Sequence, residues 1–268
     1  MTDLSAVRNL AHTDLPDALE LSKLAGWNQT EADWRRLLTL APDGCFCIEG
    51  EGRVVATATL VAYQRDCAWV GMVLTHPNWR SRGFARRLVG HTLGMAASLG
   101  IGRVKLDATA HGQDLYASFG FTAEQEVERW ERPGISAPNE SSENYASSLD
   151  EAAYGYSRAD LLASLNPGAR PTARANAYAL TRPGLIRSYL GPCIAEDLES
   201  ATQLLTPILN AVSGSGWFWD VLVENRYAMA LASALGFRPA RKLVRMSLGP
   251  PLREREEKIY ALAGFEFG

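Results

Sequence analysis

Apolar residues recur along the chain with the two periods that distinguish helices from strands. In the first half, runs rich in Val, Thr, Ala and Trp predict strands, and apolar positions three and four apart predict helices. The predicted order is strand 7–10, helices 15–25 and 30–40, strands 46–48, 54–62 and 69–74, helix 84–99, strand 104–108, helix 114–118 and strand 125–131. Turn signals between the three middle strands indicate an antiparallel meander.

A change of composition then divides the chain. Residues 133–150 are rich in Ser, Asn, Pro and Glu, which is typical of a linker or a long surface loop. The second series of predicted elements is helix 158–165, strands 177–181 and 186–190, helix 198–209, strand 217–223, helix 226–235, and strands 242–248 and 259–265. We therefore expect two domains, residues 1–133 and 151–268, joined by a linker at 134–150.

The second half repeats parts of the first. Asp107 lies on a predicted strand and is followed by Leu115-Tyr-Ala-Ser-Phe-Gly-Phe121; Asp220 also lies on a strand and is followed by Leu231-Ala-Ser-Ala-Leu-Gly-Phe237. The helices at 85–93 and 201–209 match in their apolar positions as well. Because these matches occur in the same order, they favour a duplication.

Composition and charge exclude several classes of protein. The formal net charge is -3 and 21% of residues are charged, so nothing favours a nucleic-acid or acidic-membrane partner. No run approaches the roughly 18 apolar residues that a spanning helix needs, and the N-terminus lacks a signal pattern. We expect a soluble, cytoplasmic protein; its oligomeric state stays open.

The cysteines and histidines do not indicate a metal site. Cys45 and Cys47 share one face of a predicted strand, and no second Cys or His pair follows at finger spacing. The four histidines are scattered along the chain. We expect the cysteines to be small buried residues and the protein to bind no metal.

The most informative stretch, residues 73–88, runs from a strand through a turn into a helix. Arg80, Gly83 and Ala85 have the spacing Arg-x-x-Gly-x-Ala. Small residues there let backbone amides close around an anion, the helix dipole favours negative charge, and Arg80 and Arg82 add charged donors. Neither a Walker A nor a Rossmann motif fits. By itself the motif is also compatible with an ordinary helix start.

Together with the strand ending near Thr75 and the Leu115–Phe121 stretch, this turn resembles the GNAT superfamily of N-acetyltransferases. The resemblance covers residues 5–132 and, through the repeat, implies a tandem GNAT chain. Residues 106–109, 154–158 and 191–195 are similar to YitH-type two-domain members. The implied fold is mixed α/β (α+β), in which each half is a mostly antiparallel mixed sheet flanked by helices, with a splayed cleft for acyl-CoA.

The resemblance also implies a set of site residues. Acetyl-CoA would be the co-substrate, with its pyrophosphate on the turn and its pantetheine arm in the splayed gap. A backbone N–H near 73–75 would polarise the thioester carbonyl, and Tyr116 would protonate the departing CoA thiolate. The predicted cofactor contacts are Val73, Leu74, Thr75, Arg80, Ser81, Arg82, Gly83, Phe84 and Ala85.

The general base and the acceptor site are less well defined. The strand over residues 68–73 carries no acidic residue, so the candidates are Asp107, ranked first, Glu31, Asp33 or a chain of water molecules. Asn28, Gln29 and Trp34 lie where relatives form the wall of the acceptor site; a capping turn and a core tryptophan would explain them equally well.

The predicted activity is transfer of an acetyl group from acetyl-CoA to a small-molecule primary amine by direct attack. Two alternatives stay open: a non-catalytic acyl-CoA sensor or scaffold, and a chain whose second half is the active one. Aligning Ala201 with Ala85 puts Glu196 and Glu199 at the positions of Arg80 and Gly83, and aligning the Gly-Phe helices puts Ala232 opposite Tyr116. We therefore expect a degenerate second half and one acyl-CoA per chain.

Overall fold

The computed structural model describes residues 6–133, 147–165, 170–174, 176–210 and 216–268. Along the first half of the chain, two helices precede the expected meander and two follow it. The elements are β1 (Val7–Asn9), α1 (Leu15–Leu24), α2 (Glu31–Leu40), β2 (Cys45–Gly50), β3 (Arg53–Tyr63), β4 (Cys67–Thr75), α3 (Phe84–Ser98), β5 (Val104–Ala108), α4 (Gln113–Ala117) and β6 (Thr122–Arg132).

The second half has a similar order of elements. They are α5 (Ser147–Tyr154), α6 (Ala159–Leu165), β7 (Arg170–Arg174), β8 (Ala177–Arg182), β9 (Ser188–Ala195), α7 (Leu198–Asn210), β10 (Trp217–Leu222), α8 (Arg226–Ala234), β11 (Arg238–Leu248) and β12 (Ile259–Ala261). Short 3-10 helices occur at His12–Asp14, Pro77–Trp79 and Glu256–Lys258.

Most predicted elements are present, and four details are corrected. Residues 147–150, which were expected in the linker, begin α5, and β7 was not predicted. Strand β9 spans 188–195 rather than 186–190. The strand expected at 259–265 ends at Ala261, because the chain then leaves β9 and Leu262 N–H donates to Asp220 O on β10. Residues 134–146 of the predicted linker lie outside the described residues.

The twelve described strands form one sheet, because the two halves exchange strands. Its order is β1-β2-β3-β4-β5-β11-β6-β10-β9-β8-β7, and β12 pairs with β9. Strand β11 of the second half pairs with β5, β6 of the first half pairs with β10, and β6 and β11 pair with each other. Only β4–β5 and β9–β10 are parallel. This mostly antiparallel sheet confirms the predicted fold class.

Helices cover both faces of the sheet. Neighbouring residues on β2, such as Cys45 and Phe46, belong to different apolar clusters, as expected where successive side chains point to opposite faces. Helices α1, α2, α5 and α6 share one cluster, α3 packs in the clusters of the opposite face, and α7 and α8 form a separate cluster of the second half. All four cysteines are buried and free, as expected.

Two buried ion pairs mark the strand exchange. Arg245 on β11 donates Nε and Nη2 to Asp107 on β5 at 2.9 and 3.0 Å. In the same way, Arg129 on β6 donates hydrogen bonds from Nε and Nη2 to the carboxylate of Asp220 on β10, both at 2.6 Å. The equivalent placement of the two aspartates agrees with the sequence repeat. Each pair joins a strand of one half to a strand of the other.

We expect Asp220→Ala to lower the free energy of unfolding by about 3–5 kcal/mol, because it leaves a buried guanidinium without its counter-charge. Denaturant unfolding measures this loss. Glu31→Ala is the control, because it removes a carboxylate from an exposed pair with Arg35, and such pairs contribute about 0–1 kcal/mol. Equal losses in the two variants would contradict a structural role for the buried pairs.

Candidate active site

A cleft opens in the sheet between β4 and β5. These parallel strands pair only at Ala68–Val104 and Trp69–Lys105 and then diverge toward their carboxyl ends. The walls of the cleft include Leu74 from β4, Ala85 from α3 and Tyr116 from α4. The splayed gap expected in the first half is therefore present.

A β-bulge lies in β4 at the inner end of this wall. The register with β3 shifts there, so that Met72 and Val73 lie opposite a single residue of β3. Met72 has a left-handed φ of 49°, and Thr57 Oγ1 donates to its carbonyl oxygen at 2.8 Å. The bulge interrupts the ladder of strand hydrogen bonds and exposes backbone groups of β4 to the cleft.

The turn before α3 has the features of an anion site. Gly83 has a left-handed φ of 78°, and a Cβ built on it would have no atom within 4 Å. The first hydrogen bond of the helix runs from Arg87 N–H to Gly83 O, so the first three N–H groups of α3 have no intrahelical acceptor. Free N–H groups at a helix start, beside open space, suit a phosphate group.

The side chains of the turn have different positions. Arg80 lines the cleft, whereas Arg82 lies over the ring of Trp79 at 4.4 Å. Ser81 is exposed and has a φ of 62°. The side chain of Phe84 is buried against Trp79, so only its backbone can contact a ligand at this turn.

We expect Arg80→Ala to weaken acetyl-CoA binding by about 1–3 kcal/mol, the range for one hydrogen bond to a charged group. The guanidinium is exposed, and its hydrogen bond from Nε to Thr75 O is long at 3.4 Å. Calorimetric titration gives the affinity. Arg65→Ala, which removes an exposed charge from the turn at the far end of β4, should have no effect.

Tyr116 lies where the cleft meets a second, inner pocket, and it lines both. The residue is 8% exposed, and its ring packs edge-on against Phe121. Within the described residues its hydroxyl has no hydrogen-bond partner. Burial raises the pKa of Tyr116 above its ordinary value, so the phenol keeps its proton at neutral pH.

The inner pocket continues from the cleft toward the second half. Trp27 and Arg241 line both spaces, and Gln29, Phe265 and Glu266 lie deeper. Three of these residues, Arg241, Phe265 and Glu266, come from the second half. The sequence analysis named Gln29 as an acceptor residue, and it did not identify Trp27, Arg241 or Glu266.

The other two predicted acceptor residues lie elsewhere. Trp34 is fully buried in the core, where its Nε1 donates to Ser22 Oγ at 3.0 Å. Asn28 binds the backbone of the second half, since its Oδ1 accepts from Ile186 N and its Nδ2 donates to Arg187 O. Neither is among the residues that line the two spaces.

Asp107 lines the inner pocket, but both of its carboxylate oxygens accept from Arg245. Burial raises the pKa of Asp107, although the Arg245 guanidinium acts to lower it. A proton on Asp107 would leave Arg245 buried without its counter-charge, and the Nη1 of Arg245 already lacks a hydrogen-bond partner among the described residues. The geometry thus favours a structural role for Asp107.

The remaining base candidates do not line either space. Glu31 is exposed and pairs with Arg35. Asp33 forms a capping box with Thr30 and accepts from Arg36 Nη1 at 2.6 Å, so its carboxylate holds the start of α2.

Glu266 is the acidic residue that the sequence analysis missed. The segment after β12, residues 262–268, crosses β4 at Gly71, where an added Cβ would lie 2.9 Å from Glu266 O. Glu266 is 2% exposed and accepts from Gln29 Nε2 at 2.9 Å. Nothing local in the sequence indicates that this segment returns to the first half.

In the second half, the corresponding cleft is filled by the chain itself. Strand β12 pairs with β9 at Ile259–Ile194 and Ala261–Cys193. The parallel strands of the first half first pair at Ala68–Val104, and those of the second half first pair at Ser188–Trp217. If these two pairs are superposed, Val73 and Leu74 of β4 correspond to Cys193 and Ile194 of β9. Strand β12 thus occupies the backbone positions that correspond to the open wall of the first cleft.

The helix start and the tyrosine are also changed in the second half. Helix α7 begins two residues earlier than the sequence alignment implied, which puts Asp197 rather than Glu199 opposite Gly83. Asp197 Oδ1 accepts from Ser200 N–H at 2.8 Å, so the chain caps this helix with its own carboxylate. Phe121 N donates to Tyr116 O, and Phe237 N to Ala232 O, which agrees with the predicted match of Tyr116 and Ala232.

The described ranges contain neither a candidate metal site nor a candidate membrane span. No group of three or more His, Cys, Asp or Glu side chains there could hold a metal ion. None of the helices in these ranges is long and apolar enough to cross a bilayer.

A splayed β4–β5 gap, a helix start with free N–H groups and a tyrosine at their junction define an acyl-CoA-binding fold. Family models agree: residues 6–121 match the acetyltransferase (GNAT) family, and residues 146–261 match an acetyltransferase (GNAT) domain. The chain belongs to the GNAT acetyltransferases, as a tandem member with two such domains. It is therefore an acyltransferase of a family whose co-substrate is acetyl-CoA.

Solved structures show the same fold over the whole chain. A presumed acetyltransferase from Pyrococcus horikoshii is 20% identical, with a TM-score of 0.86, over 100% of this chain and 97% of that one. A tandem GNAT protein of the clavulanic acid biosynthesis pathway is 15% identical, with a TM-score of 0.57, over 92% and 99%. A search of curated protein sequences gave no significant match.

Proposed function

We propose that the chain transfers the acetyl group of acetyl-CoA to a primary amine of a small molecule, in the cleft of the first half. The observation that carries the proposal is the position of Tyr116, which joins the cleft to the inner pocket. Donor and acceptor would meet there. The proposed domains are residues 1–133, which supply most of the lining of the cleft, and 151–268, which supply Arg241, Phe265 and Glu266 to the inner pocket.

The residues of the cleft fit the CoA moiety. The free N–H groups of α3 and the Arg80 guanidinium supply donors for a pyrophosphate, and the backbone of Val73, Leu74 and Thr75 offers a strand edge for pantetheine. Acetyl-CoA supplies an activated thioester carbonyl. The bulge at Met72–Val73 exposes backbone N–H groups that can stabilise negative charge on that carbonyl oxygen, and Tyr116 donates its proton to the departing sulfur.

The experiment is to follow free-thiol release from acetyl-CoA with a panel of amines: glycine, lysine, phenylalanine, their amides, and spermidine. An enzyme releases thiol faster with at least one amine, and mass spectrometry finds the acetylated product. A sensor or scaffold binds acetyl-CoA but accelerates release with none of them.

A further inference from the structure

We propose that Glu266 is the general base of the acetyl transfer and that, together with Gln29 Oε1, it binds the amino group of the acceptor. The inference rests on the proposed function, because it assigns a role within the same site. It also gives the second half a direct part in the reaction, since Glu266 follows β12.

The hydrogen bonds of Glu266 leave its carboxylate able to bind a further donor. Gln29 Nε2 donates to Oε2 at 2.9 Å, whereas Arg182 Nη2 approaches Oε1 only to 3.4 Å. Asp107, in contrast, is held by two short bonds from one guanidinium. Asp107 and Glu266 are the acidic residues among the described residues that line the inner pocket. Of these two, Glu266 is the one that can take a proton without leaving a bidentate partner unpaired.

Gln29 provides an independent indication that this position binds a ligand. A carboxylate only accepts hydrogen bonds, so the Gln29 side-chain atom that contacts Glu266 must be the donor Nε2. The other atom of the amide, which is directed away from the carboxylate, is therefore Oε1. Gln29 is 3% exposed, and its Oε1 has no hydrogen-bond partner among the described residues. A primary ammonium has three N–H donors and could satisfy both this oxygen and the carboxylate.

Contacts with two strands, β9 and β4, position the segment that carries Glu266. Strand β12 anchors the segment in the closed cleft of the second half, where Leu262 crosses β9 at Gly191. Four residues later Glu266 crosses β4 at Gly71, the position equivalent to Gly191. Residues 67–75 of β4 contain no acid of their own. The closed second cleft thus serves as the anchor that carries a carboxylate into the first.

Glu266 and Tyr116 share the proton transfers of the reaction. An alkylamine is an ammonium at neutral pH and has no free electron pair. Glu266 takes one proton from it, and the freed pair on nitrogen forms the bond to the thioester carbon. Tyr116 gives its proton to the sulfur as the carbon–sulfur bond breaks, and it regains one from the nitrogen. The amide and the CoA thiol leave, and Glu266 returns its proton to water.

Charges around Glu266 set the pH at which it can act. Burial raises the pKa of Glu266, and Asp33 on α2 adds to this effect. Arg182 on β8 and Arg129 on β6 oppose it, and the Tyr189 hydroxyl on β9 lies beside the same amide group of Gln29. The base must be ionised, so kcat/KM should fall as the pH drops through this raised pKa.

The test is Glu266→Gln, assayed with the amines that the wild type acetylates. We expect kcat to fall about 10²–10⁴-fold, the acid limb of the pH profile to disappear and the Kd of acetyl-CoA to stay the same. Thermal unfolding gives a readout without ligand. Because the folded protein disfavours the ionised carboxyl, the variant should have an equal or higher Tm at pH 7, and any gain should vanish below the ordinary pKa of glutamate.

Glu254→Gln is the matched control, because Glu254 is a buried glutamate that pairs with Lys105 outside the pocket. It should lower the Tm and leave kcat unchanged. If Glu266→Gln does not fold, Gln29→Leu replaces it, with an expected tenfold or greater rise in the KM of the amine. Wild-type kcat with the acid limb retained in Glu266→Gln, or an unchanged KM in Gln29→Leu, would overturn the assignment alone. A wild type that acetylates no amine would overturn the proposed function with it.

We also infer that the acceptor carries a carboxylate, which binds Arg241. Arg129, Arg182 and Arg245 each have an acidic partner within 4 Å. Arg241 lines both the cleft and the inner pocket, is half-buried over Trp27, and has no ion pair among the described residues. Burial and the nearby Arg129 lower the pKa of Arg241. An anionic ligand would act in the opposite direction, because it stabilises the charged guanidinium.

Amino acids and their amides test this inference, because within each pair the acid alone carries a carboxylate. The wild type should have the higher kcat/KM for the acid of each pair, and Arg241→Met should raise the KM of the acid at least tenfold while leaving that of the amide and the Kd of acetyl-CoA unchanged. A wild type without preference for the acid would overturn the inference. A weaker Kd of acetyl-CoA in the variant would also overturn it, because Arg241 would then bind an anionic group of CoA.

Discussion

Gly83→Glu should abolish acetyl-CoA binding. A side chain at this position projects into the open space beside the first N–H groups of α3, and its carboxylate would bind those donors in place of a phosphate. It would also repel the pyrophosphate directly. Calorimetric titration should therefore detect no acetyl-CoA binding, whereas the variant should still fold, because an added Cβ meets no atom within 4 Å.

Gly100→Glu is a closely matched control at the other end of the same helix. Gly100 also has a left-handed φ, of 73°, and open space around its Cβ position. Both variants therefore carry similar backbone strain and the same new charge. Loss of binding in Gly83→Glu alone supports the anion site; normal affinity in Gly83→Glu would mean that CoA binds elsewhere.

Tyr116→Phe should lower kcat by about 10²–10⁴-fold, because the thiolate would leave without a proton donor. The Kd of acetyl-CoA should change little, since the hydroxyl acts only as the carbon–sulfur bond breaks. Stability should also be preserved, because the hydroxyl has no hydrogen-bond partner among the described residues. Steady-state kinetics and thermal unfolding measure the two effects.

The comparison for this variant is Tyr227→Phe, a change at an exposed tyrosine of α8 that is 59% exposed. It should alter neither kcat nor Tm. Wild-type turnover in Tyr116→Phe would remove Tyr116 from the reaction and assign the proton to water or to another group.

Local signals in the sequence were sufficient for the elements of the first cleft. The glycine-containing turn, the amphipathic period of α3 and the Leu115–Phe121 stretch each act over a few residues, and the structure places all three around one cleft. The repeat likewise predicted the equivalence of Asp107 and Asp220. These short-range patterns carry the family resemblance, and that resemblance implied the fold class and the splayed gap.

The contacts between the halves could not be predicted in this way. Strand exchange between β6 and β11 keeps the same local patterns in each half and changes only the partners. The apolar residues of β12 indicated a strand but not that it fills the second cleft. Glu266 reaches Gln29 across 237 positions of the chain, a distance over which periodicity carries no information.

Two neighbouring tryptophans show the same limit on a smaller scale. Trp27 and Trp34 flank the start of α2, and the sequence analysis left the second equally compatible with the acceptor wall and with the core. In the structure Trp34 points into the core and Trp27 lines the cleft. Which aromatic residue faces a ligand depends on how α1 and α2 pack on the sheet, and amphipathic spacing does not determine this.

We expect only the first half to bind acetyl-CoA, because β12 and Asp197 close the corresponding site of the second. Calorimetric titration of the full chain with acetyl-CoA tests it most directly. We predict a stoichiometry near one, and no binding in Gly83→Glu. Two sites per chain, or one site that persists in Gly83→Glu, would contradict the account.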